Sequence, residues 1–308
     1  MAKEDFCPLT EHTGYLSKST NTGVVWGDSS LFIIDSGDSE EFGISVVNDI
    51  QALFPGKQVK AVINTHGHSD HVGGNLAIKS LTGAQIWAPP TESIFIENPA
   101  LVPDIYWGGR HFCAMDTPVY TTAKPCKVDR LLTGEAIDAG DTTIKPISLP
   151  GHFYDQVGIL VTEKQSGKKT FFLGDAFFGI KVIKKYWIPF MQDEQLFRES
   201  IEKIENTDAD FYIPSHGEKC PREQLPALAE VNKLITLETE TLILKTLRQE
   251  PRCYEEILKA VADFAGLKMR FSQYILIGTT IRSYLSRLYN NGKVTCEMQG
   301  NRLIWKAL

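Results

Sequence analysis

Short apolar runs of four to six residues punctuate the first two thirds of this chain, and almost every one ends in a small or turn-forming residue. Gly14–Ser19, Gly23–Trp26 and Leu31–Ile34 have the length and β-branched content of strands, separated by Asn21, Gly23, Gly27 and Asp28. Between Glu41 and Phe54 the period changes. Ile44, Val47, Ile50 and Leu53 fall at helical spacing, with Pro55-Gly56 as the stop. Ala61-Val62-Ile63 reads as a buried strand, Asn75–Lys79 as the start of a helix, and Gln85–Ala88 as another short strand. Ile144–Leu149, Val157–Thr162, Lys169–Leu173 and Ala209–Pro214 are further strands, the middle two joined by the hairpin signal Gln165-Ser166-Gly167-Lys168. Glu194–Ile204 is helical. Residues 89–127 show no period, yet they carry six prolines and five aromatic residues. That content predicts an ordered flap over a site, or a contact between two copies of the chain, rather than a disordered linker.

The C-terminal part has a different texture. Leu237–Leu247, Tyr254–Phe264 and Phe271–Tyr289 carry helical periods, and Lys293–Glu297 pairs with Arg302–Trp305 across Gln299-Gly300-Asn301. Three helices and a hairpin resemble a winged helix, so two domains are expected, residues 1–236 and 237–308. From Leu237 onward there are 11 Lys and Arg against 7 Asp and Glu, whereas the whole chain is −6. The third helix offers only Arg282 and Arg287, a thin phosphate footprint. Nucleic acid is therefore possible but not favoured as a partner, and a packing or dimerisation role is expected, with a homodimer as the assembly.

With 308 residues, 43% hydrophobic and 23% charged, the composition is that of an ordinary globular protein. No apolar run reaches membrane-spanning length, and Met1–Cys7 has no signal core, so a cytoplasmic location with no membrane partner is expected. Six scattered cysteines without a CxxC pair point to free thiols; Cys220, four residues after His216, reads as a buried one.

The chemistry is concentrated in one place. Three of the seven histidines fall in His66-Gly67-His68-Ser69-Asp70-His71, directly after a predicted buried strand. Imidazole and carboxylate at this density suit Zn²⁺ or a similar borderline metal. His152, Asp175 and His216 repeat one device, an apolar strand and a small residue before a metal-capable side chain.

The His66-x-His68-x-Asp70-His71 pattern resembles the signature of the metallo-β-lactamase-fold hydrolases, and the later residues follow in that family's order, from about residue 14 to 220. The resemblance implies an α/β fold, an αββα sandwich with a metal pair at one edge of its two sheets. It implies His66, His68 and His152 on one metal, Asp70, His71 and His216 on the other, and Asp175 between them. Asp35, after the Leu31–Ile34 strand, matches a family aspartate that supports the metal loop without binding metal. Two Zn²⁺ ions are the expected cofactors, with Fe or Mn as alternatives. Such a pair lowers the pKa of a shared water until hydroxide exists at neutral pH. The expected function is hydrolysis of a small ester-like molecule, a thioester as in glyoxalase II or a lactone, by a metal-bridging hydroxide that Asp70 orients. The alternatives are phosphodiester or RNA cleavage guided by the winged helix, and a non-catalytic protein that keeps metal for stability. Two residues outside the metal set are further candidates: Tyr154, two residues after His152, as a donor to a developing oxyanion, and Lys181 as a partner for a substrate carboxylate.

Overall fold

In the computed structural model, which describes residues 5–116 and 123–308, the first two thirds of the chain form two sheets. The first runs in chain order: β1 (Phe6–Pro8), β2 (Thr13–Leu16), β3 (Thr22–Trp26), β4 (Ser30–Ile34), β5 (Gln58–Ile63), β6 (Gln85–Ala88) and β7 (Arg130–Leu131). Its first four strands are antiparallel neighbours, and β4 to β7 are parallel. The second contains β8 (Ile137–Asp138), β9 (Thr142–Ser148), β10 (Val157–Glu163), β11 (Lys169–Gly174), β12 (Phe211–Pro214) and β13 (Cys220–Pro221), in spatial order β13-β12-β11-β10-β9-β8.

Strand alternation explains the layers. On β4, Phe32 and Ile34 face a core shared with Ile144, Ile159, Val161 and Phe172 of the second sheet. Leu31 and Ile33 point the other way, onto Val46, Val47 and Ile50 of the helix Glu40–Leu53. The second sheet does the same, with Phe171, Leu173 and Tyr212 packed on Phe197, Ile201 and Ile204 of the helix Glu194–Asn206. The α/β sandwich of two sheets flanked by helices is therefore what the sequence led us to expect.

Parallel and antiparallel pairings together place the site. β9 and β11 are both antiparallel to β10, and β11 is parallel to β12, so β9, β11 and β12 point the same way. Their C-terminal ends line one edge, where His152, Asp175 and His216 follow. β4 and β5 are parallel, so Asp35 and the histidine loop leave the first sheet side by side.

Several elements differ from the sequence reading. The stretch 89–127 is not one aperiodic loop. It holds helices Pro90–Glu97 and Leu101–Trp107 and a short 3-10 turn at Cys113–Met115. These helices are too short to show a period, and their prolines sit in first turns, where a missing N–H costs nothing. Pro118 and Tyr120 of that stretch lie outside the described residues. The helix expected over Leu237–Leu247 is the second half of a 25-residue helix, Leu225–Gln249. Position 237, where a second domain was expected to begin, is thus in mid-helix. Apolar residues from both halves, Leu225 and Ala229 with Ile243 and Leu247, enter one core. Helices Tyr254–Phe264 and Phe271–Asn290 follow, then a three-stranded sheet ordered β14-β16-β15, from β14 (Arg252–Cys253), β15 (Val294–Gln299) and β16 (Arg302–Ala307). Among the described residues no helix is long and apolar enough to cross a membrane. All six cysteines are free, and Cys220 is buried, its thiol pushed up to about 11 by that burial.

Candidate metal centre

The loop after β5 turns at once into a four-residue helix, Ser69–Val72, and then into the helix Asn75–Thr82. The second of these packs against the helix Glu40–Leu53 so closely that a Cβ on Gly74 would lie 2.3 Å from the Ser36 carbonyl oxygen and 2.7 Å from the Gly43 Cα. Only glycine permits that approach, which pins the loop to the chain leaving β4. Ser36 completes the attachment, its N–H donating to the His71 carbonyl at 2.7 Å.

All seven residues inferred from the sequence come together. The ligand-type atoms of His66, His68 and His152 lie within 4.8 Å of one another, as do those of His66, His71 and Asp175, and those of Asp70, His71 and His216. His68 Nδ1 is 3.0 Å from both His66 Nε2 and His152 Nε2. Asp175 lies between the groups, 3.5 Å from the Nε2 atoms of His71, His152 and His216. Asp70 Oδ2 accepts from His216 Nε2 at 3.1 Å.

The residues behind the histidines decide which nitrogen points inward. Asp35 is buried with φ +58°, a left-handed conformation that Asp tolerates better than most residues. It accepts from the Thr65 N–H (2.8 Å), the Thr65 hydroxyl (2.8 Å) and His71 Nδ1 (2.9 Å). The Thr65 hydroxyl has one proton and gives it to Asp35, so it accepts from His66 Nδ1 at 3.0 Å. His152 Nδ1 donates to the Phe190 carbonyl and His216 Nδ1 to that of Ser19. Four histidines therefore aim Nε2 into the cluster. His68 is turned over: its Nε2 meets the Tyr106 hydroxyl at 2.5 Å, and Nδ1 faces inward. Holding the outer N–H of each ring fixes the tautomer a cation needs.

Two buried atoms at the centre, His71 Nε2 and Asp175 Oδ1, have no hydrogen-bond partner among the described residues. Buried polar atoms are rarely left so. Five converging imidazoles and two carboxylates are what a pair of borderline dications coordinates, and the residues fit that group. Titration agrees. Burial, reinforced by the neighbouring histidines, holds His66 and His68 well below the ordinary imidazole range, and burial also lowers His152. Burial opposes charge on His71 and His216, but Asp175 and Asp70 overcome it; His71 is raised and His216 reaches about 9. Burial works to raise both carboxylates, yet the histidines around them, His71 and His216 foremost, keep Asp70 and Asp175 well below the usual carboxylate range.

The other candidates lie around this centre. Tyr154 is 40% exposed and stacks on Phe95, with its hydroxyl accepting from Gln192 Nε2 at 3.2 Å. Lys181 stands on the exposed helix Ile180–Tyr186 and pairs with Glu218, two residues beyond His216. His111, at the turn after Trp107, is held between Asp104 and Asp116 and takes no part in the cluster. Sequence reasoning missed two residues around the centre: Tyr106, which meets His68, and Glu92, which accepts from the Gly67 and Asp155 N–H groups. Tyr106 was legible only as one aromatic residue of the flap, and Glu92 had no signal at all.

Comparison with known proteins places this centre. Residues 18–216 match the family model of the metallo-beta-lactamase superfamily. An atrochrysone carboxyl ACP thioesterase of Passalora fulva is 20% identical over 94% of this chain and 76% of its own length. A hydroxyacylglutathione hydrolase of Albidiferax ferrireducens is 33% identical over 32% of this chain and 37% of its own. Among solved structures, a beta-lactamase domain protein from Burkholderia ambifaria superposes with TM-score 0.73 at 18% identity, covering 98% of this chain and 93% of that one. A metallo-beta-lactamase family protein from Thermus thermophilus gives 0.71 at 16%, covering 99% and 97%. Those two likenesses extend the shared fold through the C-terminal helices. With residues 18–216, most of the chain, matched to that family model and a His/Asp cluster gathered at one sheet edge, this protein is a hydrolase of the metallo-beta-lactamase superfamily.

Proposed function

We propose that this chain hydrolyses a small ester-like substrate, a thioester first and a lactone second, at a dinuclear zinc centre. The observation that carries the metal assignment is the pair of orphaned atoms, His71 Nε2 and Asp175 Oδ1, inside a shell of seven donors. In this reading His66, His68 and His152 would hold one ion and Asp70, His71 and His216 the other, with Asp175 as a donor lying between the two groups. A donor set of five imidazoles and two carboxylates favours zinc over harder ions. Two such ions supply a water of lowered pKa as the nucleophile and a Lewis acid for the attacked carbonyl. The chain's own part is to orient and exclude. Asp70 is the least buried carboxylate of the set, with its side chain 37% exposed, and is placed to orient the nucleophile. Tyr154, two residues after His152 and 40% exposed, is the candidate donor to a developing oxyanion. Lys181, beside Glu218, is the candidate contact for a substrate carboxylate.

Support for the thioester comes from the relatives, a carrier-protein thioesterase that aligns over most of the chain and a hydroxyacylglutathione hydrolase. Support against a phosphodiester comes from the C-terminal helix. Arg287 is committed to Glu194 and Glu240, and Arg282 lies over the Tyr254 ring at 4.0 Å, so neither stands clear for a phosphate backbone. The test is a panel of thioesters, lactones, phosphodiesters and β-lactams with zinc-reconstituted protein. Turnover of a thioester or lactone above the others is expected. Preferential phosphodiester cleavage would establish the nuclease reading instead. Bound metal without turnover of any class would leave a binding protein.

A further inference from the structure

The metal residues arrive on loops from both sheets, and something must set the distance between those loops. His66 and His68 follow β5 of the first sheet; His152 follows β9 of the second. Between them lies the side chain of Glu92, in the first turn of the helix Pro90–Glu97. It is fully buried, at 0% exposure. One carboxyl oxygen accepts from the Gly67 N–H at 2.8 Å, and Gly67 is the residue between His66 and His68. The other accepts from the Asp155 N–H at 2.7 Å, three residues after His152. Asp155 answers through its own carboxylate, which accepts from the Thr91 N–H at 3.3 Å. The contact at Gly67 is tight as well: a Cβ there would lie 2.9 Å from the Phe95 Cβ and 3.2 Å from Glu92 Oε2.

We propose that Glu92 is a positioning residue, a two-ended clasp that spaces the His66–His68 loop from the His152 loop and so sets the bite of the three-histidine site. The inference rests on the metal assignment above for its consequence, though not for its geometry. Each oxygen of Glu92 meets a backbone N–H, so the clasp uses both as acceptors. Glutamine is isosteric but keeps only one. Its amide NH₂ must face one of the two N–H groups, which breaks one end of the clasp and leaves a buried donor unpaired. Partners that orient metal ligands from behind are typically worth about 10–100-fold in metal affinity.

The experiment compares the parent with Glu92→Gln, and with Glu92→Asp in case the glutamine variant folds poorly. Zinc and cobalt titrations against a competing chelator should resolve two binding steps. The step belonging to His66, His68 and His152, identified by its loss in His152→Ala, should weaken about 10–100-fold in both Glu92 variants. The step belonging to Asp70, His71 and His216 should hold its affinity, and cobalt absorption bands should shift only as the first site fills. A variant that merely loosens the fold would lower the melting temperature and leave both steps alone, and that result overturns the proposal. Amide exchange of the metal-free protein gives the independent arm. Gly67 and Asp155 should lose protection in Glu92→Gln, with the strand amides of Val62 and Ile159 unchanged. Equal protection in parent and variant also overturns the proposal. If the parent binds no metal at all, the metal reading fails, and the exchange result alone decides whether Glu92 is the clasp.

Discussion

Replacing Asp35 by Asn tests how far the centre depends on a residue that touches no ion. The substitution is nearly isosteric, and Asn tolerates the left-handed backbone at φ +58° as Asp does, so strain is not introduced. What changes is the sense of one hydrogen-bonding edge. The Thr65 N–H still needs an acceptor, which places the amide oxygen at Oδ1. The NH₂ group then occupies the Oδ2 position, 2.9 Å from His71 Nδ1 and 2.8 Å from the Thr65 hydroxyl. His71 Nδ1 now faces a donor and accepts only by moving its proton to Nε2, into the cluster. The Thr65 hydroxyl becomes an acceptor toward residue 35 and turns its own proton on His66 Nδ1, so His66 flips in the same way. A single edit thus presents an N–H to the ion from one histidine of each proposed site. At about 10–100-fold per lost supporting bond, roughly 1.4–2.7 kcal/mol, both sites should weaken by comparable amounts. The assay is zinc titration against a chromophoric chelator, with turnover of the preferred substrate read at saturating zinc. Two unchanged affinities would refute the reasoning altogether. Weakening of the His71 site alone would refute the relay through Thr65.

Removing metal should make stability depend on pH. His216 is raised to about 9 in the fold, above its unfolded value near 6.5, so its contribution is complete below about 6.5 and is lost as pH rises through 9. Glu92, pushed up to about 8 by burial, acts in the same sense between its unfolded value and 8. Denaturant melts of stripped protein should therefore weaken from about pH 6.5 to 9.5, while zinc-loaded protein, whose His216 has already given up its proton, should lose less; parallel curves would contradict the cluster's charge assignment. Tyr106→Phe removes the partner of His68 Nε2 and should weaken the three-histidine site about tenfold with the other site intact, measured in the same chelator assay. Tyr154→Phe should lower kcat with metal content unchanged, and Lys181→Ala should raise KM; parent-like constants for both would move substrate recognition to the flap.

The sheets and the metal donors were legible in the sequence because each is a local signal. An apolar run of four to six residues announces a strand, and a histidine or aspartate after a small residue announces a loop end. Asp35, which follows Ile34 and no small residue, was visible only through the family resemblance. Glu92 was not, because an acidic residue in the first turn of a helix is commonplace; its meaning lies in Gly67 and Asp155, both far along the chain. Tyr106 reads as a packing residue until helix Leu101–Trp107 brings its hydroxyl to His68. The flap helices were missed because eight and seven residues are too few to establish a period. The helix Leu225–Gln249 was underestimated at its start, where Glu230, Asn232 and Lys233 dilute the apolar stripe, although Asn232 is buried and bonded to Phe178.

Ile275, on the long helix Phe271–Asn290, belongs to the same apolar cluster as Tyr106, Phe153 and Phe190. Phe153 follows a proposed ligand, Phe190 supplies the carbonyl that His152 bonds, and Tyr106 braces His68. Through Ile275 the helix Phe271–Asn290 thus reaches the apolar wall that stands behind His68 and His152. A smaller side chain at Ile275 would be felt as a looser seat for Tyr106 against His68.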